Sequence, residues 1–221
     1  MPLQTFYNLP QERQKEILDI ACKEFALHEY NVASLGSIIK ESGVAKGSFY
    51  RYFKDKKDLY FHLIEYTEGL RMVQLEHLIS EPEIDFFKIL TRNFAMKVRF
   101  DLEHPVYSGF QYNLIQEKNN EEIGNVQLLI KKRVMNLVIQ IIRPFVDSGQ
   151  FREDISIDDL AYLIVQVQWG MFDYIEMKYN INFRENIKSG KPIFQISEET
   201  IVSDVSSFAN LILSGIQKKQ S

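Results

Sequence analysis

A chain of 221 residues with 45 % apolar and 25 % charged residues is too apolar for a disordered polymer and too short for three domains, so it divides naturally into one small unit and one larger unit with a substantial core. Its formal charge of −4 would repel a polyanion from the molecule as a whole, and a single cysteine, Cys22, excludes an internal disulfide and a cysteine-built zinc site. No apolar run approaches the ~20 residues that cross a bilayer, and the start MPLQTFYNLPQER has no basic residues leading an apolar stretch, so a soluble cytoplasmic protein with no membrane partner is expected.

The first helix is expected from Pro10 to about His28, because Ile17, Leu18, Ala21, Cys22, Phe25 and Ala26 recur at helical spacing. Cys22 falls on that face and reads as a small buried hydrophobe. Next, the segments SLGSIIKES and KGSFYRYF flank Gly43-Val44-Ala45, the spacing of a helix, a tight turn and a second helix. Leu35, Ile38 and Ile39 share a face, Ser34 is placed to cap the first segment, and Gly43 can take the left-handed conformation that ends it. In the second segment Phe49 and Phe53 point inward, which leaves Lys46, Ser48, Tyr50, Arg51 and Tyr52 facing out.

Charge is focused on this stretch. Between Lys40 and Lys57 six basic residues stand against Glu41 and Asp55; residues 1–60 carry net +1 and the remainder net −5. A solvated lysine-rich turn would carry the same charge. The two-helix spacing, the glycine turn and the interleaved aromatics point instead to DNA, where cations and hydroxyls hold phosphates and the second helix reads base edges.

Beyond the motif, Asp55 can cap a helix running to about Ile79 on a stripe of Leu59, Leu63, Tyr66 and Leu70, with Pro82 past its end. Ile84 to His104 reads as a helix stopped by Pro105, and Val106 to Gln116 as a short aromatic-rich piece. Asn119 or Asn120 is expected to open a helix reaching Arg143, before Pro144. Ser156 caps a helix over about Ile157 to Tyr179, FRENIKSGKPIFQ reads as an exposed loop, and a last helix runs from Ser197 to about Lys218. These final two helices are apolar on more than one face, which places them at the centre of their domain or at a subunit interface.

The run GVAKGSFYRYFKDKKDL resembles the signature of the TetR family of bacterial transcriptional regulators, G-V-x-x-G-x-x-Y-x-Y/H-F-x-x-K-x-x-L. Gly43, Val44, Gly47, Tyr50, Tyr52, Phe53, Lys56 and Leu59 fit it. The resemblance implies an all-α fold, with an N-terminal three-helix helix-turn-helix domain over residues 1–55 that continues into a linking helix over 56–79, and a larger C-terminal effector-binding and dimerisation domain over 80–221. It implies a homodimer, paired through the last two helices, that binds a palindromic double-stranded DNA operator, most often as a repressor, and is released by a small-molecule effector. Carried over residue by residue, Ser34, Gly36 and Ser37 start the helix that braces the DNA backbone. Lys46, Gly47, Ser48, Tyr50, Arg51 and Tyr52 lie in or beside the major groove, and Lys56 grips a phosphate. Two positions depart from the pattern: Ala45 stands where many relatives have a capping Ser or Thr, and Gly36 where they often have a longer polar side chain.

For the effector pocket the candidates are Phe94, Met96, Phe100, Tyr107, Phe110, Tyr112, Trp169, Phe172 and Tyr174, each also accounted for by plain core packing. Arg92, Arg99 and His104 are candidate anchors for an acidic ligand. The four histidines fall on different predicted helices, and Asp101 with His104 lacks the second pair a di-iron bundle needs. With no glycine-rich phosphate loop, no G-x-S-x-G elbow and no Cys/His pair of suitable context, neither enzyme, metal nor cofactor is expected. Two alternatives remain: a helical ligand-binding or interaction module that keeps the motif only as scaffold, and a DNA-binding protein controlled by a protein partner.

Overall fold

The computed structural model describes residues 2–79 and 85–216, without the side chains of 74–79. Regular structure among them is helical: α1 (Gln4–Tyr7), α2 (Gln11–Leu27), α3 (Leu35–Glu41), α4 (Lys46–Phe49), α5 (Lys56–Ile79), α6 (Phe86–Glu103), α7 (Pro105–Gln116), α8 (Val126–Asp147), α9 (Ile157–Tyr179), α10 (Phe183–Lys188) and α11 (Glu198–Ile216). The positions expected for Ile84, Pro82 and Lys218 lie outside the described residues.

The N-terminal unit follows its pattern. The apolar stripe of α2 is fully buried, the Ser34 hydroxyl accepts from Ser37 N–H at 3.2 Å, and Gly43 ends α3 with φ +63°. Asp55 accepts from Asp58 N–H at 2.7 Å and opens α5. The short helix α1 was not expected, since four residues carry no period. Phe6, 1 % exposed, packs against Phe53 at 4.9 Å, and Leu3 N–H donates to Tyr52 carbonyl at 2.8 Å, so α1 seals the end of the recognition segment.

The C-terminal part departs from expectation in three places. Pro105 starts α7 rather than merely stopping α6, because a first-turn residue needs no N–H donor. Neither Asn119 nor Asn120 opens α8. Asn119 is left-handed at φ +53°, Asn120 closes a small bridge with Gly124, and the cap is Asn125, which accepts from Leu128 N–H at 2.8 Å. The expected exposed loop FRENIKSGKPIFQ holds α10, capped by Asn182, and buries Phe183, Ile187, Ile193 and Phe194. Phe183 and Ile187 are four apart, a one-turn apolar pair among polar residues.

Three helix pairs dominate the packing: α2 along α7, α6 against α11, and α8 against α9. Helix α7 therefore sits between the N-terminal unit and the rest of the bundle.

Candidate nucleic-acid interface and the cavity behind it

Helix α4 is only four residues long, and Ala45 at its N-cap offers no side-chain hydrogen bond, as the departure at that position implies. The chain continues in a tight turn, with Tyr52 N–H donating to Phe49 carbonyl at 2.8 Å and Phe53 N–H at 3.0 Å. Phe49 and Phe53 are completely buried, and this pins the segment so that Lys46, Gly47, Tyr50 and Arg51 are exposed while Ser48 and Tyr52 are half-buried. Ser34, Gly36 and Ser37 are exposed at the start of α3. Among the described residues the side chains of Lys46, Arg51 and Lys54 make no hydrogen bond or ion pair. Lys56 is different. Its ammonium donates to the carbonyls of Tyr30 at 2.8 Å and Ala33 at 3.3 Å and lies 4.4 Å over the Tyr30 ring, so in this conformation it ties α5 to the segment before α3.

A cavity of about 370 Å³ lies between α5, α6, α7, α8 and α9. Of the eight aromatics expected to line it, Tyr112, Trp169 and Phe172 do so. Phe94, Phe100 and Phe110 are instead core, each 1 % exposed or less; Tyr174 stacks edge-on against Phe208 at 5.1 Å; and Tyr107 faces α2, donating to Asp19. Met96 does not line the cavity. Nor do the expected anchors: Arg99 pairs with Glu198 at 2.9 Å on the surface, and His104 stacks on Tyr107 at 5.7 Å.

The cavity's charged groups were not anticipated. Phe86, Leu90, Asn93, Lys97 and Asp101 form one stripe of α6 and all line it. Lys97 pairs with Asp101, which also accepts from Ser108 Oγ at 2.5 Å, and Arg71 of α5 lies 5.3 Å over the Phe100 ring. Across the cavity Arg133 of α8 pairs with Glu68 at 3.0 Å. Burial pushes the Lys97 ammonium and the Arg71 guanidinium down in pKa against the pull of Asp101, and pushes the Glu68 carboxyl up against the pull of Arg133. Two charges in phase with an apolar stripe were the signal available in the sequence.

No group of three His, Cys, Asp or Glu side chains among the described residues could hold a metal ion. No helix among them is long and apolar enough to cross a membrane.

Comparison with known proteins places this geometry. The family profile described as "Bacterial regulatory proteins, tetR family" matches residues 17–63, which run from α2 through the motif into α5. The HTH-type transcriptional regulator AcrR of Shigella flexneri is 37 % identical over 73 residues, 33 % of this chain and 34 % of that protein, so the chain matches about a third of that relative's length. A TetR family transcriptional regulator from Chloroflexus aurantiacus J-10-FL shares the fold with a TM-score of 0.76 at 22 % identity, over 99 % of this chain and 100 % of that one. The transcriptional regulator FadR from Bacillus subtilis, solved in complex with stearoyl-CoA, does so with a TM-score of 0.72 at 20 % identity, over 92 % and 99 %. The N-terminal segment, residues 17–63, thus resembles the tetR family of bacterial regulatory proteins in sequence, and the whole chain shares the all-helical fold of the solved regulators.

Proposed function

We propose that the protein is a ligand-responsive transcriptional repressor that binds a palindromic operator as a homodimer. The observation that carries this reading is the pinned, outward-facing segment after Gly43, on which Lys46, Tyr50 and Arg51 are exposed and the two cations have no internal partner. Cations already neutralised inside the protein would gain little from phosphate; these would release counterions on binding. Lys46, Gly47, Ser48, Tyr50, Arg51 and Tyr52 then meet the major groove, and Ser34, Gly36 and Ser37 the flanking backbone. Lys56, held by two carbonyls, adds positive potential and rigidity.

Residues 1–55 with the linking helix 56–79 form the reader in this scheme, and 80–221 the body. Tyr162, Leu163 and Met177 on α9 and Leu211 on α11 are exposed, and a Cβ at Gly170 would meet nothing, which supports pairing of the two long C-terminal helices with their twofold mates. The cavity favours control by a small molecule over control by a protein partner, and the stearoyl-CoA complex of a protein with the same fold supports a largely apolar effector. Ligand binding would favour a dimer geometry in which the recognition helices no longer match successive grooves.

The test is selection from a pool of random duplexes by the full-length protein, beside a variant carrying Tyr50→Ala and Arg51→Ala, followed by fluorescence anisotropy at low and moderate salt. A palindrome enriched by the parent alone, with affinity falling steeply as salt rises, is the expected result. Equal weak binding by both proteins with nothing enriched would sink the reading.

A further inference from the structure

The ionic groups that line the cavity are already engaged. Lys97 pairs with Asp101, which is 4 % exposed and also accepts from Ser108 Oγ, and Arg133 pairs with Glu68 at 3.0 Å. Arg71 lies over the Phe100 ring, within the pull of Asp101. An ionised guest would have to open one of these pairs. That would leave a partner charge uncompensated in a mostly apolar enclosure, and the guest would bring its own desolvation cost as well.

Two uncharged side chains in the wall are in a different position. Among the described residues, the amides of Asn93 on α6 and Gln168 on α9 make no hydrogen bond or ion pair, though both line the cavity. Each is half-buried and interrupts an apolar stripe. On α6 Asn93 follows Ile89 and Leu90 at helical spacing; on α9 Ile164, Met171, Phe172 and Ile175 share the cavity side with Gln168. Leucine at either position would continue the stripe, whereas an amide loses hydration there and gains no bond from the protein. A primary amide offers two N–H donors and one carbonyl acceptor without charge. The bonding capacity that the fold leaves unused is therefore matched by an uncharged polar group on an apolar skeleton.

We propose that the cavity takes an uncharged, mostly apolar molecule bearing an amide, hydroxyl or carbonyl group, with Asn93 and Gln168 hydrogen-bonding its polar atoms. The proposal rests on the reading of the cavity as the effector site. A carboxylate or an alkylammonium on the same skeleton must displace a pair in the wall. A plain hydrocarbon fills the space and leaves both amides unbonded.

Trp169, the chain's one tryptophan, lines the cavity and reports its occupancy. The full-length protein is titrated with decanamide, decanoate, decylammonium and butylbenzene below their solubility and micellar limits, following Trp169 fluorescence. Decanamide is expected to bind about tenfold more tightly than either ion. Asn93→Leu and Gln168→Leu should each weaken decanamide about fivefold and leave butylbenzene, which has no hydrogen-bonding group, unchanged or tighter. Either ion binding as tightly as the amide would overturn the uncharged class. An unchanged ratio of decanamide to butylbenzene affinity in either variant would overturn the pair of amides as the recognition element. Both of those outcomes leave the effector cavity standing, whereas binding of none of the four compounds would remove it too. Should a variant fail to fold, the ligand series on the parent decides.

Discussion

Asp101 on α6 and Ser108 on α7 are joined by a hydrogen bond of 2.5 Å in the wall of the cavity. The residue before Ser108, Tyr107, donates across the other side of α7 to Asp19 on α2, and Asn113, further along, donates to the carbonyls of Phe25 at 2.7 Å and Ala26 at 3.0 Å at the end of α2. One helix thus lines the cavity with one face and grips the N-terminal unit with the other. A shift of α7 would therefore reach α2 with no intervening element.

Tyr107→Phe tests that link. It keeps the ring's packing and removes the bond to Asp19, whose carboxylate retains Lys15 at 2.6 Å. Stability should fall by about 1 kcal/mol, and operator affinity should hold within about threefold while its response to effector weakens. Urea denaturation and anisotropy with and without effector check the two halves separately.

Gly109 on α7 lies at a tight approach to α2 and α10. A Cβ there would lie 2.4 Å from Ile187 Cδ1 and 3.3 Å from Ala26 Cβ. The Ile187 end can swing aside, but the Ala26 methyl is fixed to its helix. Gly109→Ala should therefore cost about 1–2 kcal/mol and Gly109→Val more, read as a lowered urea midpoint. Pairing Gly109→Ala with Ile187→Val should restore part of the loss.

At Gly47 the opposite holds. An added Cβ meets nothing, so Gly47→Ala should leave the melting temperature unchanged or slightly raised. If the backbone there approaches a phosphate, the same methyl should weaken operator binding by about tenfold or more. Unchanged DNA affinity would remove Gly47 from the interface.

Ala45 has the backbone of a cap, φ −60° and ψ 137°, without its hydroxyl. Ala45→Ser should supply the missing acceptor to the exposed N–H groups of α4 and stabilise the reader by about 0.5–2 kcal/mol. Hydrogen exchange at the Gly47 and Ser48 amides, the N2 and N3 donors that an N-cap hydroxyl can take, should slow accordingly.

His62 gives the N-terminal unit a pH dependence. Its ring lies among Phe6, Phe53 and Tyr7 at 5.8, 6.0 and 6.3 Å, and burial holds its pKa below the ordinary value, against the opposing charges of Glu65 and Asp58. The unfolded chain then takes the proton more readily than the folded one. Stability should be level above about pH 7, fall as the pH drops through the ordinary histidine range toward the lowered folded value, and level off below it. His62→Gln should flatten that segment of a plot of urea midpoint against pH.

The helix-turn-helix was legible because its information is local. Leu35, Ile38, Phe49 and Phe53 repeat at helical spacing, Ser34 and Gly43 carry their own cap and turn chemistry, and the basic excess lies within a few turns of chain. The long helices were legible for the same reason, down to Ser156 at the start of α9.

The cavity was not legible, since which aromatic lines it depends on which helix faces which. Phe94 and Phe172 both lie within long predicted helices, and only the packing of α6 and α9 sends the first into core and the second to the cavity wall. Loops were misread where a polar stretch hid a single turn, as at Phe183 and Ile187. Lys56, basic like its neighbours, turns inward because two carbonyls, at Tyr30 and Ala33, happen to meet its ammonium. Period, caps and local charge therefore determined the elements and the reader. Contacts between different helices, joining Asp101 to Ser108, Arg71 to the Phe100 ring and Arg133 to Glu68 and setting α7 between cavity and α2, were decided by the tertiary structure, because burial and pairing of charge are properties of the packed whole.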